Sequence, residues 1–402
     1  MSTGGFSSVR LDRMRAVMAG HVERGAAPGI VMAISRRGET HVDAIGMHAF
    51  GGERPMQRDA IFRISSMTKP VTAVAAMLLV EECKLRLDEP VDRLLPELAD
   101  RKVLKRLDGP LDETVPAQRP ITVRDLLTFR MGFGIILAPP DTYPIQRAVD
   151  ELQLGQGMPG PMTPPAPDEW MRRFATLPLL HQPGEQWMYN TGSDVLSVLI
   201  ARASGQPLET FLRERIFEPL GMRDTSFSVP TAKLDRLTTS YQANLATGAF
   251  DIYDEAAGGQ WSRPPAFPSG AAGLVSTIDD YLAFGQMLLN KGKYGAGRLL
   301  SRPSVELMTT DQLTPAQKAA SGMGSLILAG LGWGFGVSVI TRRDTFPSIG
   351  TFGWNGGMGT LWSTDPQEQI VTILMSPCVW ASASPPDICL DFLTSAYQAI
   401  DD

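Results

Sequence analysis

Ser66-Met67-Thr68-Lys69-Pro70-Val71-Thr72-Ala73-Val74-Ala75-Ala76-Met77-Leu78-Leu79-Val80-Glu81-Glu82 begins with a hydroxyl and an amine three residues apart and continues as a long apolar run. The run is rich in helix formers. Positions i and i+3 share a helix face, so the Lys69 nitrogen can reach the Ser66 oxygen. A serine hydroxyl is a poor nucleophile until a neighbouring base takes its proton. A lysine can be that base where burial or nearby positive charge lowers its pKa. Pro70 falls in the first turn, where it removes at most about one helix hydrogen bond. Ser66 therefore stands at a helix N-terminus, beside free N–H groups and the positive end of the dipole. That place suits a developing negative charge. A capping serine ahead of an ordinary buried helix would read the same way, so the rest of the chain decides.

Upstream, residues 10–25 read as an amphipathic helix. Pro28-Gly29 turns into the β-like run Ile30–Ile34, and Arg36-Arg37-Gly38 reads as a hairpin turn into the alternating stretch His41–Gly46. Downstream, Thr122 caps a helix beginning at Val123. Residues 135–168 are rich in proline, glycine and methionine and exclude a long element, although 145–153 can form a short helix. Such an insertion either borders a binding site or is a surface excursion. Helices resume over 168–177, 194–203, 208–216 and 279–290, with 270–277 read as a glycine-broken turn. The last third returns to β-like segments over 334–341, 359–363 and 370–375, and ends in a helix over about 386–400. Strands at both ends with helices between them predict an α+β fold, in which the two ends share an antiparallel sheet and the middle forms a mainly helical lobe. The expected division is 1–95 with 267–402 as a discontinuous α/β sandwich, and 96–266 as the helical domain carrying the Pro-rich insertion 135–170. A site is expected in the cleft between them.

The 402 residues are 43% hydrophobic and 20% charged, an ordinary globular composition, and the net charge of −6 leaves no basic footprint for nucleic acid. Arg101-Lys102-Val103-Leu104-Lys105-Arg106 reads as solvated surface. Neither a secretory signal nor a membrane-length apolar run is visible, so a cytoplasmic location without a membrane partner is expected. Cys83, Cys378 and Cys389 are too few for a disulfide framework and lack metal spacing; Cys83 is expected in the core. No metal or cofactor is expected. His21, His41 and His48 fall in a surface helix and a hairpin. His181, close to Tyr189, could line a pocket but more simply packs, and no G-x-S-x-G elbow occurs.

Tyr189 is the best second proton carrier, just ahead of the helix at Asp194; a phenol becomes a usable base only beside cations. Ser66-x-x-Lys69, Pro183-Gly184-x-x-Trp187-x-Tyr189, Pro219-Leu220-Gly221-Met222, Ala272-Gly273-Leu274-Val275-Ser276-Thr277 and the late Trp354-Asn355-Gly356-Gly357 follow in this order. The series resembles the serine hydrolases of the β-lactamase superfamily over roughly residues 10–400. It is most similar to family VIII carboxylesterases, which are like class C β-lactamases, and S-x-x-K is among the motifs of penicillin-recognising enzymes. The resemblance implies Ser66 as nucleophile. It implies that Lys69 depresses the Tyr189 pKa and shares its proton, with Tyr189 as base toward Ser66 and acid toward the leaving alkoxide. It implies an oxyanion hole from the Ser66 and Gly357 N–H groups, and substrate binding by Trp354, Asn355 and Gly356. The bare sequence equally allows a glycine-rich hairpin turn at the last segment.

Two departures bear on substrate. Trp354 stands where the lactamases carry a cation, and Thr191 stands where they carry the asparagine of Y-x-N, with Asn190 adjacent. The first favours neutral esters over penicillins, and the second again weakens a lactam or peptide reading; the acyl group is expected to be short. The expected function is thus a cofactor-free carboxylesterase acting through a Ser66 acyl-enzyme on a small-molecule ester. β-Lactamase, amidase and acyltransferase activities are alternatives within the superfamily, and a non-catalytic binding protein on the same fold is the alternative outside it.

Overall fold

The computed structural model describes residues 4–244 and 246–402. Its main sheet is explained by alternation. In β1 (Gly29–Arg36), Ile30, Met32 and Ile34 enter one core while Val31 and Ala33 enter the other, so the strand is buried on both faces. The other strands are β2 (Glu39–Gly46), β3 (Leu331–Trp333), β4 (Ser338–Ile340), β5 (Phe352–Gly356), β6 (Thr360–Asp365) and β7 (Ile370–Met375). They form one seven-stranded sheet in the order β3-β4-β5-β6-β7-β1-β2, antiparallel throughout. The two chain ends thus meet at β7 and β1, with Val31 opposite Met375 and Arg36 opposite Ile370. Ser7 N–H also donates to Ala399 C=O at 2.9 Å.

Helices cover both faces. Ser8–Glu23 and Asp387–Gln398 lie together on one, with Met14, Met18, Phe392 and Ala396 in its core. Ile278–Leu289 lies against β1, β6 and β7 on the other, with Tyr281, Phe284 and Trp362 in contact. The Thr68–Glu81 helix belongs to this second core, which extends without a break into the helical region. There Thr68–Glu81 packs on Thr191–Ser204, itself packed on Val123–Leu127. The latter opens with the expected cap at Thr122, a full capping box with Asp125.

The segments differ from expectation where local chemistry overrides pattern. The stretch 334–341 is split: β3 ends at Trp333, a turn follows, and β4 begins at Ser338. The helix read over 208–216 runs only to Leu212 before widening into a π-turn over Arg213–Phe217. The middle region also carries two small hairpins, Lys102–Leu104 with Thr114–Pro116 and Ser240–Ala243 with Phe250–Asp254. Cys83 is not core: it lies past the helix end at φ 57° and is exposed. Arg101 is not solvated: it is buried and donates to the carbonyls of Ala175 and Leu177.

The Ser240–Asp254 hairpin is tied to the sheet region by a buried ion pair. Arg63 donates to Asp254, to Thr238 C=O at 2.5 Å and to Glu255 C=O at 3.0 Å, and both charged side chains are almost wholly enclosed. Removing one member leaves the other charge unmatched. Arg63→Met is therefore expected to lower unfolding stability by about 3–5 kcal/mol. Urea denaturation of the two proteins measures it; an unchanged midpoint would contradict the role given to this pair.

Candidate active site

Ser66 lies in a single 3-10 turn, Ser65–Met67, that feeds directly into the Thr68–Glu81 helix. The turn is fixed from several sides. Tyr281 hydroxyl donates to Met67 C=O at 2.7 Å, Leu274 N–H donates to Thr68 Oγ1 at 3.1 Å, and Thr72 hydroxyl donates to Gly270 C=O at 2.9 Å. Three residues on, Lys69 is completely buried; its Nζ donates to Ser66 Oγ at 2.9 Å and to Ala271 C=O at 2.7 Å.

Tyr189 arrives from the far side. Its hydroxyl donates to Ser66 Oγ at 2.8 Å and accepts from Trp354 Nε1 at 2.7 Å. The Lys69 nitrogen lies 4.5 Å from the centre of its ring. Phe129, Trp187, Trp333 and Trp354 surround the ring, with Trp333 and Trp354 perpendicular at 4.7 Å. This aromatic box fixes the phenol, and of its members only Trp187 and Trp354 lie in segments that the sequence marks as motifs.

The electrostatics follow from enclosure. Burial pushes the Lys69 ammonium well below the usual lysine range, and the nearby Asp194 carboxylate partly opposes this. Burial pushes Asp194 upward in turn, opposed by the hydrogen bond from Ser269 hydroxyl (2.6 Å) and by Lys69. Lys69 and Asp194 therefore titrate as a pair. Burial also holds the Tyr189 phenol up at about 12, against hydrogen bonds with Ser66 and Trp354 that favour the phenolate. This reverses the expected depression by Lys69. An amine already lowered toward neutrality carries no charge at the pH where the phenol would titrate, so it cannot pull that pKa down.

The oxyanion side is equally built. Among the described residues, the N–H groups of Ser66 and Gly357 have no acceptor, and both residues line the same cavity. The Gly357 peptide is pinned by Trp380 N–H donating to its carbonyl at 2.8 Å. Gly356 lets β5 come this close: a Cβ there would lie 2.3 Å from Ile64 C=O and 2.2 Å from Thr360 Oγ1. Ser65 at φ 45° and Asn190 at φ 90° flank Ser66 and Tyr189, so both key side chains are presented from strained backbone.

The cavity, about 180 Å³, is walled by Leu154, Met158, Pro161, Trp170 and Phe267. The insertion thus borders the site, through residues 154–164. From the third segment only Gly357 lines the cavity; Trp354 meets the phenol, and the expected substrate-binding residues Trp354, Asn355 and Gly356 do not line it. His181 lines a separate cavity with Trp187 and Met188. Among the described residues no cluster has metal-ligand character, and no helix is long and apolar enough to cross a membrane. The sequence reading missed Ala271 C=O and Ser269, which sit in or beside the stretch read as a simple turn; its glycine-rich, small-residue character is the only signal.

An antiparallel sheet with the serine helix tucked beneath it, and a serine whose proton has an amine rather than an imidazole to go to, define the serine hydrolases of the β-lactamase fold. The family model described as Beta-lactamase matches residues 14–378, and the chain belongs to that family. It is 38% identical to protein Rv1367c of Mycobacterium tuberculosis (strain ATCC 25618 / H37Rv), covering 95% of this chain and 92% of that one. It is 30% identical to a protein named Esterase EstB of Burkholderia gladioli, over 89% and 88% of the two chains. The solved structure of EstCE1, described as a hydrolase with promiscuous acyltransferase activity, superposes with a TM-score of 0.80 at 26% identity, over 96% and 98%.

The Lys69–Asp194 pairing has a direct pH consequence. The Asp194 carboxylate favours the charged amine, so Asp194→Asn lowers the Lys69 pKa further. The rate at which a fluorophosphonate labels Ser66 is expected to rise with pH as Lys69 deprotonates, and in the Asp194→Asn variant that rise moves to lower pH. A shift to higher pH contradicts the pairing.

Proposed function

We propose that the protein is a carboxylesterase that cleaves neutral, short-acyl esters through a Ser66 acyl-enzyme. The observation that carries this is the Ser66 oxygen held at once by Lys69 Nζ and the Tyr189 hydroxyl. With Lys69 neutral, the 2.9 Å contact can reverse, so that the Ser66 hydroxyl donates to the amine lone pair, and the amine takes the serine proton as Oγ attacks the ester carbonyl. The carbonyl oxygen becomes an oxyanion against the Ser66 and Gly357 N–H groups. Tyr189 gives its proton to the departing alkoxide. Trp354 N–H and the newly charged Lys69 stabilise the phenolate until the lysine proton restores it. Water then repeats the sequence on the acyl-enzyme, its proton passing to the Lys69–Tyr189 pair and Ser66 recovering its own.

Ester rather than lactam is supported by charge. Among the described residues, serine, tyrosine, asparagine, aspartate and apolar groups line the cavity with no lysine or arginine among them, and in the motif series Trp354 stands where the resemblance to the lactamases would put a cation. The name of the Burkholderia relative supports the same reading. The promiscuous acyltransferase activity ascribed to EstCE1 supports a second one, acyl transfer to an alcohol in place of water.

Ser66→Ala is expected to abolish cleavage of p-nitrophenyl butyrate while leaving the circular dichroism spectrum intact. Lys69→Ala and Tyr189→Phe should each cost about 10²–10⁴-fold or more in kcat, because the three act as a unit. Turnover of a chromogenic cephalosporin above that of the butyrate ester, or a Ser66→Ala enzyme that still turns over, sinks the proposal. Product analysis with added butanol separates hydrolysis from transfer.

A further inference from the structure

Two polar side chains in the cavity are left without partners, and both belong to the strained residues that flank the chemistry. Asn190 follows Tyr189 at φ 90°, ψ −63°; Ser65 precedes Ser66 at φ 45°. They are 7% and 3% exposed, so each is more than nine-tenths buried, and each lines the cavity. An asparagine just ahead of a helix ordinarily turns its side chain back onto the first free N–H groups. Here that cap bond is not made. Among the described residues neither the Asn190 amide nor the Ser65 hydroxyl has a hydrogen-bond partner, and neither is sealed away from open space.

Buried polar groups are almost always matched, and one left unmatched is costly. Backbone held in sparsely populated regions is concentrated where ligands are gripped. The amide supplies both a donor and an acceptor, and the hydroxyl does the same. Asp194, in the same cavity wall, disfavours an anion. The groups therefore match a neutral oxygen. Both line the same cavity as Ser66, Tyr189 and Gly357, and at about 180 Å³ it is small, so the matched oxygen belongs to the bound ester and lies close to the carbonyl that is attacked.

We propose that Asn190 and Ser65 recognise a second, neutral oxygen on the substrate, so that the esters this enzyme takes best carry a hydroxyl or keto oxygen close to the bond that is cut. This rests on the ester-hydrolase reading and narrows its substrate class. The same chemistry could be carried by the acyl group or by the alcohol.

The test compares kcat/KM for ethyl butyrate, ethyl 3-hydroxybutyrate and 2-hydroxyethyl butyrate, followed by pH-stat. The enzymes are wild type, Asn190→Gly and Ser65→Gly; glycine keeps the positive φ while removing the side chain. One oxygenated ester is expected to exceed ethyl butyrate by about tenfold in wild type, the worth of a well-made hydrogen bond or two. That ratio should collapse toward parity in Asn190→Gly and fall in Ser65→Gly. The ester that shows the preference tells acyl from alcohol. Parity of all three in wild type overturns the proposal, and so does a preference that survives Asn190→Gly, since a purely structural role would slow all three alike. Absence of Ser66-dependent cleavage of ethyl butyrate itself sinks the parent reading, and this one with it.

Discussion

The site depends on one buried amine. Lys69 is almost wholly shut away from solvent, and its polar contacts are the Ala271 carbonyl and the Ser66 hydroxyl, with Asp194 nearby. Removing an ammonium from water disfavours its charged form strongly. An enclosed amine of this kind is a base near neutral pH, and a serine three residues earlier on the same face is the hydroxyl it can reach. Asp194 tempers the effect, and Ser269 holds Asp194 in place. The enclosing layers of the Thr68–Glu81 helix, the 269–277 segment and the Thr191–Ser204 helix are thus part of the chemistry.

The fold supplies what the serine helix cannot. An amine beside a serine provides no oxyanion hole and no acid for the leaving group. β5 brings Gly357 from the end of the chain, and Gly356 permits the approach because any side chain would strike Ile64 C=O. The helical region brings Tyr189, and the Trp354 indole on β5 donates to its oxygen, so the sheet and the helical region meet at a single phenol. The aromatic box behind it keeps the hydroxyl within 2.8 Å of Ser66 without any charged group.

Much of this is legible in the sequence because it is local. The i, i+3 spacing of Ser66 and Lys69, the alternation in β1, and the Thr122–Asp125 cap are all written in adjacent residues. The antiparallel α+β architecture follows from where strand-like and helix-like runs fall. What is not legible depends on long-range placement. Trp354 reads as an apolar wall for substrate, yet its N–H points to Tyr189, a matter of strand register. The direction of the Tyr189 shift cannot be read, because a phenol pKa depends on enclosure. Arg101 lies in a basic run, yet its carbonyl partners come from residues 175 and 177. Cys83 follows an apolar helix by two residues, enough to leave the core.

The central claim is that Lys69 gives up its proton near neutral pH in the folded protein, far below an ordinary lysine. The chain has eight lysines, few enough for their ¹³Cε resonances to be followed individually in lysine-labelled protein. With Lys69→Ala to assign the signal, the claim predicts one resonance that titrates far below the other seven and shifts further down when Asp194 is replaced by asparagine. Eight resonances that all titrate in the ordinary lysine range would contradict it.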